Sequence, residues 1–321
     1  MRVRVCFHDN CFDGAASAAL FTQFHRTRIG GSAEIVYRGM THGHGVVFPA
    51  GTFDGDENAV VDFRYSPDPA LTWWFDHHVS AFVRKEDEPV FRADATGKKF
   101  FDPTAKSCAR FLARTVEREF GFDTSKHAEL IHWAEIIDGA MFESPEAAVR
   151  LAEPALRLMT WIENNKEPEL TERFIAELAD ARPLAALAAE SWIAAPLEPI
   201  FRRQEHALKV MRTRTREVHG VVSFDVTEDA LEAINKFIPY YLHPAARFVV
   251  GVSAMAGRLK ISVGTNPWLP RPPVNIAAIC ERYGGGGHPV VGAISLPSTD
   301  LSRARQIAGE IIDELAAVPL A

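Results

Sequence analysis

No stretch of this 321-residue chain approaches the roughly 18 consecutive apolar residues of a membrane-crossing helix, so no membrane span is expected. Cysteine is scarce and scattered. Cys6, Cys11, Cys108 and Cys280 form no C-x-x-C pair, and the simple inference is a reducing, cytoplasmic setting. Positive charge is in deficit, with 35 Lys and Arg against 42 Asp and Glu. The resulting net charge of −7 argues against a protein that coats nucleic acid by bulk electrostatics. It leaves a small phosphate substrate open, because bound divalent ions invert the local charge. The start, Met1-Arg2-Val3-Arg4, lacks the apolar region and small-residue cleavage site of a signal peptide and reads as a first strand. There is no internal repeat, and no low-complexity tract beyond the glycines Gly284 to Gly287.

What is present is a globular composition, 47% hydrophobic and 24% charged, over a length comfortable for two cores. The chain is organised around Trp74-Phe75-Asp76-His77-His78. An apolar run from Leu71 ends abruptly there in a carboxylate and two imidazoles. A buried strand reads as such a run, and its carboxyl end is where α/β sheets place ligands. Three potential metal ligands in succession are costly to bury unpaired. Val3 to Phe7 ends similarly, in His8-Asp9-Asn10-Cys11-Phe12-Asp13-Gly14; Ala59-Val60-Val61 leads into Asp62, and Ile136-Ile137 into Asp138-Gly139. Four such endings suggest a carboxylate–imidazole cluster at one sheet edge, a donor set suited to Mn²⁺, Mg²⁺, Fe²⁺ or Zn²⁺.

These segments, in this order, resemble the four motifs of the DHH phosphoesterase family, and Gly284-Gly285-Gly286-Gly287-His288 resembles the GGGH signature of that family's associated second domain. The motifs span residues 8 to 288, nearly the whole chain. The resemblance implies a metal-dependent phosphoesterase acting on short oligonucleotides or small nucleotides, like the compact nano-RNase-type members, with two divalent ions, most simply Mn²⁺. It implies Asp62 as bridging ligand, Asp13, His77 and Asp138 completing one site, and His8 anchoring the other. It gives Asp76 and His78 to catalysis, and Gly284 to His288 and Ser107 to substrate. Two departures stand out. Cys11 occupies a position where relatives often carry Asp, an N-C-x-D-G variant. Its thiolate would ligate a softer ion, or Asp9 would substitute, or the site fills only with substrate present; the last is the leading reading. In addition, Ser262-Val263-Gly264-Thr265 lacks the Arg that relatives often carry, with Lys260, Arg258 or Arg271 as replacements. Competing readings are a non-catalytic nucleotide-binding relative and a pyrophosphatase or bisphosphonucleotide phosphatase. A homodimer is compatible with all of them.

The expected architecture is α/β: a doubly wound, mainly parallel sheet over 1–192, a helical connector over 193–217, and a smaller α+β domain over 218–321. Strands are expected at 2–7, 34–38, 58–62 and 71–76. The stretch 84–99 reads as a surface hairpin or loop, and His42 and His44 as part of a solvated loop. Asp102 to Cys108 opens a helix, with Thr104 and Ser107 either caps or phosphate contacts. Further helices are expected over 127–139, 146–162, 168–180 and 184–216, with Pro183, Pro196 and Pro199 as punctuation. In the last part the pattern gives strands at 221–224, 247–253, 258–264 and 291–296, a turn at Ala256-Gly257, and helices at 229–238, 274–283 and 302–316. Tyr283 and Trp268 are candidates for base stacking, which core packing explains equally well.

Overall fold

Runs of β-branched and aromatic residues bounded by Asp, Gly and Pro suit strands covered on both faces. The runs ending at Phe7, Val61 and Phe75 form strands, while Ile136-Ile137 belongs to a helix. The computed structural model describes residues 1–41, 47–229, 231, 234–255 and 257–319, so His42 and His44 lie outside the described residues. The chain divides into two units, Met1–Phe142 with Leu151–Leu197, and Glu143–Arg150 with Glu198–Ala321.

In the first unit, strands β1 (Arg2–His8), β2 (Glu34–Met40), β3 (Glu57–Val61), β4 (Trp73–Asp76) and β5 (Lys99–Phe101) form a sheet in the order β2-β1-β3-β4-β5. All of these pairings are parallel, so the carboxyl ends share one edge. The winding reverses between β1 and β3, and such a switch point opens a crevice beyond the strand ends. Val3, Val5, Val60, Val61, Trp73, Trp74 and Phe75 are fully buried.

Helix α1 (Phe12–Arg28) follows β1 and is buried along its first half, through Gly14-Ala15-Ala16-Ser17-Ala18-Ala19 to Phe21. A helix with no polar face there must be enclosed. The sheet lies on one side of it, and α3 (Cys108–Phe120), α4 (Ala128–Asp138), α6 (Pro154–Asn164) and α7 (Pro168–Ala179) pack around it. The stretch expected as a hairpin or loop, 84–99, contains α2 (Asp87–Arg92) and runs into β5 at Lys99. Its charged residues hid Phe91, which packs on Trp74; just beyond it Phe101 also packs on Trp74 and Phe100 stacks on Phe75. The helix expected over 146–162 is two helices, α5 (Pro145–Arg150) and α6, parted at Leu151 with φ 49° and restarted by Pro154. After α8 (Leu184–Ala188), helix α9 (Ser191–Arg214) runs through Pro196 and Pro199 instead of breaking at them. Each proline there removes a backbone donor, and the two flank the boundary between the units at Leu197 and Glu198.

The second unit holds β6 (Arg216–Val218), β7 (Val221–Asp225), β8 (Phe248–Met255), β9 (Arg258–Thr265), β10 (Gly286–His288) and β11 (Val291–Pro297), ordered β10-β11-β9-β8-β7-β6. Only the β7–β8 pairing is parallel among these. Leu259, Ile261, Val263 and Ile294 form a core with α11 (Ile276–Glu281) and α12 (Leu301–Ala316). Segment α5 belongs to this unit, where Ala148 O accepts from Asn235 Nδ2 and Arg150 donates to Tyr241 Oη. Of the helix expected over 229–238, residues 230, 232 and 233 lie outside the described residues, and α10 begins only at Ile238 (Ile238–Leu242). Ala256 of the expected turn is likewise outside them, while Gly257 has the positive φ, 75°, of a turn residue. Among the described residues no helix is long and apolar enough to cross a membrane.

Candidate metal centre

Register alone sets three motif segments on one edge. Phe7 of β1 pairs with Val61 of β3, and Val61 with Phe75 of β4, so His8, Asp62 and Asp76 follow side by side. Asp62 terminates its strand in the left-handed region, φ 56°, with its N–H donating to Phe75 O. That conformation strains most side chains and is tolerated best, after glycine, by Asp and Asn. Asp13 arrives from the first turn of α1. Here Gly14 is required, because a Cβ at this position would lie 2.1 Å from the carbonyl oxygen of His8. Asp138 arrives from the last residue of α4, a helix end and not a strand end.

His77 sits at the centre. Its Nδ1–H donates to Ala105 O at 3.0 Å, which turns Nε2 toward the carboxylates. That Nε2 lies 3.4 Å from Asp138 Oδ2, 3.5 Å from Asp62 Oδ1 and 3.9 Å from Asp13 Oδ2. Asp62 Oδ2 lies 3.5 Å from His8 Nδ1, and Asp62 Oδ1 lies 3.9 Å from His78 Nδ1. Asp76 Oδ1 accepts from the His78 ring Nδ1 at 2.7 Å and from the His77 backbone N–H at 2.8 Å. Asp76 is thus seen positioning its two histidine neighbours.

Both oxygens of Asp62 and the Nε2 of His77 are buried without a hydrogen-bond partner. Leaving such groups unmatched costs several kcal/mol, roughly 2–7 for even a neutral polar group. A divalent cation would satisfy these two carboxylate oxygens and the imidazole nitrogen together. Three overlapping sets of ligand atoms meet this need: His8, Cys11 and Asp62; Asp62, His77 and His78; Asp13, His77 and Asp138. Asp62 and His77 are each shared by two sets.

No family model and no curated protein matches this sequence. Among solved structures, the chain is similar to the pGpG-specific phosphodiesterase PggH from Vibrio cholerae, with 17% identity, 99% of each chain covered and a TM-score of 0.71. It is also similar to an exonuclease RecJ bound to manganese, with 14% identity, 99% of this chain and 91% of that one covered, at a TM-score of 0.49. The chain has the DHH fold.

In this DHH fold the four motif segments of the first unit converge. Electrostatically the centre is overloaded with negative charge. Burial drives the Asp13 carboxyl well above the ordinary range, reinforced by Asp62 and Asp138. Burial and then Asp62 push Asp138 up to about 6. Burial would raise Asp62 as well, but His77 and His8 outweigh it and hold Asp62 at about 2. Burial opposes charge on His77, yet Asp62 and Asp13 lift it to about 10. His78 is raised too, with Asp76 overcoming its burial. Imidazolium thus neutralises the carboxylates where a metal cation would serve both.

Some of the machinery is backbone, which no side-chain motif announces. Cys108 N and Ala109 N, at the start of α3, donate to Asp13 Oδ2 and Oδ1 at 2.6 and 3.0 Å. This fixes the Asp13 carboxylate against a helix N-terminus, where negative charge is favoured. Ser107 is buried, and its Oγ accepts the Arg110 N–H as the cap of α3. Thr104 closes a turn on Asp102.

In the second unit of the DHH fold, Gly284 and Gly285 donate their N–H groups to Glu281 O and Cys280 O and so end α11. A Cβ on Gly285 or Gly287 would lie 2.3 Å from a carbonyl oxygen of β11, whereas one on Gly286 would meet nothing within 4 Å. Gly286, Ala293 and Ser262 are paired across β10, β11 and β9, and Lys260 pairs with Ser295 on the same face, opposite the helix-covered core. His288 is exposed at the end of β10. Trp268 packs on Phe237 and Tyr240, and Tyr283 Oη donates to Glu310, so both candidate stacking residues take part in internal contacts.

Proposed function

We propose that this chain is a metal-dependent phosphoesterase of the DHH family that hydrolyses phosphodiester bonds of short oligonucleotides or small nucleotides, with linear dinucleotides as the preferred class. The observation that carries the reading is Asp62, a buried carboxylate with both oxygens bare, set among His8, His77 and His78. Asp62 would be shared by two ion positions, one held further by Asp13, His77 and Asp138 and the other by His8. The donors are oxygen and imidazole, which suits Mn²⁺ or Mg²⁺ first and Fe²⁺ or Zn²⁺ next. When bound, two divalent ions supply a nucleophile by acidifying water and neutralise charge on the phosphate oxygens.

The chain's own residues do the rest. Ala105 and Asp76 lock the tautomers and directions of His77 and His78. His78, whose hold on a proton Asp76 strengthens against the effect of burial, would donate toward the phosphate or the leaving oxygen as general acid. Asp13, anchored on two backbone N–H groups, keeps its position when charge at the centre changes. In the second unit, Lys260, Ser262 and His288 beside the open Gly286 offer cationic and hydrogen-bonding groups to a nucleotide. Similarity to a protein described as pGpG-specific supports a dinucleotide substrate.

The test is turnover of a panel of linear dinucleotides, cyclic dinucleotides, bisphosphonucleotides and pyrophosphate with Mn²⁺, Mg²⁺, Zn²⁺ or Fe²⁺. Metal-dependent release of mononucleotide from linear dinucleotides is expected. Absence of turnover with every ion, or hydrolysis of pyrophosphate alone, overturns the reading.

A further inference from the structure

Cys11 stands at the residue that precedes helix α1, a place where Ser, Thr, Asp or Asn usually caps the first turn. Its backbone is extended, φ −129° and ψ 134°, and its side chain caps nothing. The Gly14 N–H of the first turn is turned toward the thiol, a weak acceptor that makes no full capping hydrogen bond. The Cys11 Sγ also lies with a ring nitrogen of His8 and a carboxylate oxygen of Asp62, all within 4.8 Å of one another. Asp62 is buried, and neither of its oxygens has a hydrogen-bond partner.

The other acid of this turn is directed elsewhere. Asp9 accepts the Asn10 N–H at 2.8 Å, and its carboxylate lies against Gly39 of β2, where an added Cβ would be 2.5 Å from Oδ2. Asp9 is absent from the ligand sets found among the described residues. The remaining cysteines, Cys6, Cys108 and Cys280, are buried; Cys11 is the half-buried one.

We propose that Cys11 is a metal ligand, completing with His8 and Asp62 a nitrogen–oxygen–sulfur site for a borderline-soft divalent ion such as Zn²⁺, Fe²⁺ or Co²⁺. The Asp13–His77–Asp138 set has one nitrogen and two carboxylates and keeps its preference for Mn²⁺ or Mg²⁺. The two positions that share Asp62 are then chemically unequal, and the centre is built for a mixed pair of metals. On binding, the thiol releases its proton to solvent and the sulfur lone pair forms the bond to the ion, with no change of oxidation state. This inference rests on the metal-centre reading above and goes beyond it in naming the sulfur ligand and the ion class.

The experiment is titration of Co²⁺ into metal-stripped protein, followed by absorption. A sulfur-to-cobalt charge-transfer band in the near ultraviolet is expected to grow to one equivalent, alongside the weaker visible bands of cobalt itself. Cys11→Ser and Cys11→Asp should both lose the ultraviolet band and keep the visible ones, while Cys280→Ser should keep both. Zn²⁺ affinity of the Cys11→Ser protein should fall by about 10–100-fold or more, the scale already reached by outer-shell changes. Visible bands without the ultraviolet band in the parent protein overturn the sulfur ligand and leave the metal centre standing. Absence of every cobalt band overturns the metal centre itself, and with it this inference. If Cys11→Ser does not fold, Cys11→Asp decides: retention of the band in that variant assigns it to another thiol and overturns the proposal.

Discussion

A single glycine sets how close α1 comes to β1, and through that closeness His8 and Asp13 reach the same cluster. Gly14→Ala would drive a methyl into the His8 carbonyl, 2.1 Å from the new Cβ. Overpacking of this kind costs about 1–3 kcal/mol. The expected outcome is a lower melting temperature together with weakened Mn²⁺ binding, read by thermal melting and calorimetric titration. Unchanged Mn²⁺ affinity would show that His8 is not positioned by this approach. At this scale the sequence was informative about side chains. His8, Asp62, His77, His78 and Asp138 stand out because Asp and His at the ends of apolar runs have no core-packing explanation, whereas Asp13 is set apart from Asp9 only by the family resemblance. Their supports were not legible. Ala105 O, Cys108 N and Ala109 N act through the backbone, and any residue could supply those atoms. Asp62's left-handed φ is equally silent in the sequence, since Asp is common in ordinary conformations as well.

The central strands β1, β3 and β4 are legible because burial on both faces leaves continuous apolar runs, whereas the three-residue strands β5, β6 and β10 leave no such run. Helix ends were less legible, because prolines at 196 and 199 read as breaks and proved to lie within α9. The stretch 84–99 reads as a loop in the sequence because its charges mask Phe91, which holds α2 on Trp74. Two predictions belong to elements. The first concerns β10. Gly287→Ala should destabilise the second unit, because its Cβ meets a β11 carbonyl at 2.3 Å, whereas Gly286→Ala meets nothing within 4 Å and should melt within about 1 °C of the parent. If β10 contacts nucleotide, Gly286→Ala should nevertheless raise KM several-fold with little change in kcat; an unaltered KM would remove β10 from the substrate site. The second concerns Glu57 at the opposite end of the sheet from the cluster. Burial works to raise its pKa, but the Trp73 indole N–H and His25 outweigh it, and the net shift is downward. A carboxyl lowered in the folded state stabilises it above the unfolded value of about 4.3, and this contribution is lost as pH falls through the lowered value. Glu57→Gln should therefore show a shallower loss of stability between about pH 5 and pH 3 in urea titrations. An identical slope would mean that Glu57 is not the group concerned.

For the whole molecule, the division into a parallel α/β unit and a mixed-sheet α+β unit followed from where the strand–helix alternation stopped. The exchange of Glu143–Arg150 into the second unit did not, because it depends on contacts distant in sequence, such as Asn235 with Ala148. The central claim is that Asp62 joins two ion positions at the sheet edge of the first unit. Calorimetric titration of Mn²⁺ into the parent and into Asp62→Asn, checked by metal analysis of the dialysed proteins, tests it most directly. Asparagine tolerates the left-handed backbone at this position, so the variant isolates the charge. The parent should take up two ions per chain with competence to cleave a linear dinucleotide. The variant should lose at least one ion and more than about 100-fold in turnover, beyond what loss of an outer-shell contact causes. Equal stoichiometry and equal affinity in the two proteins would contradict the account.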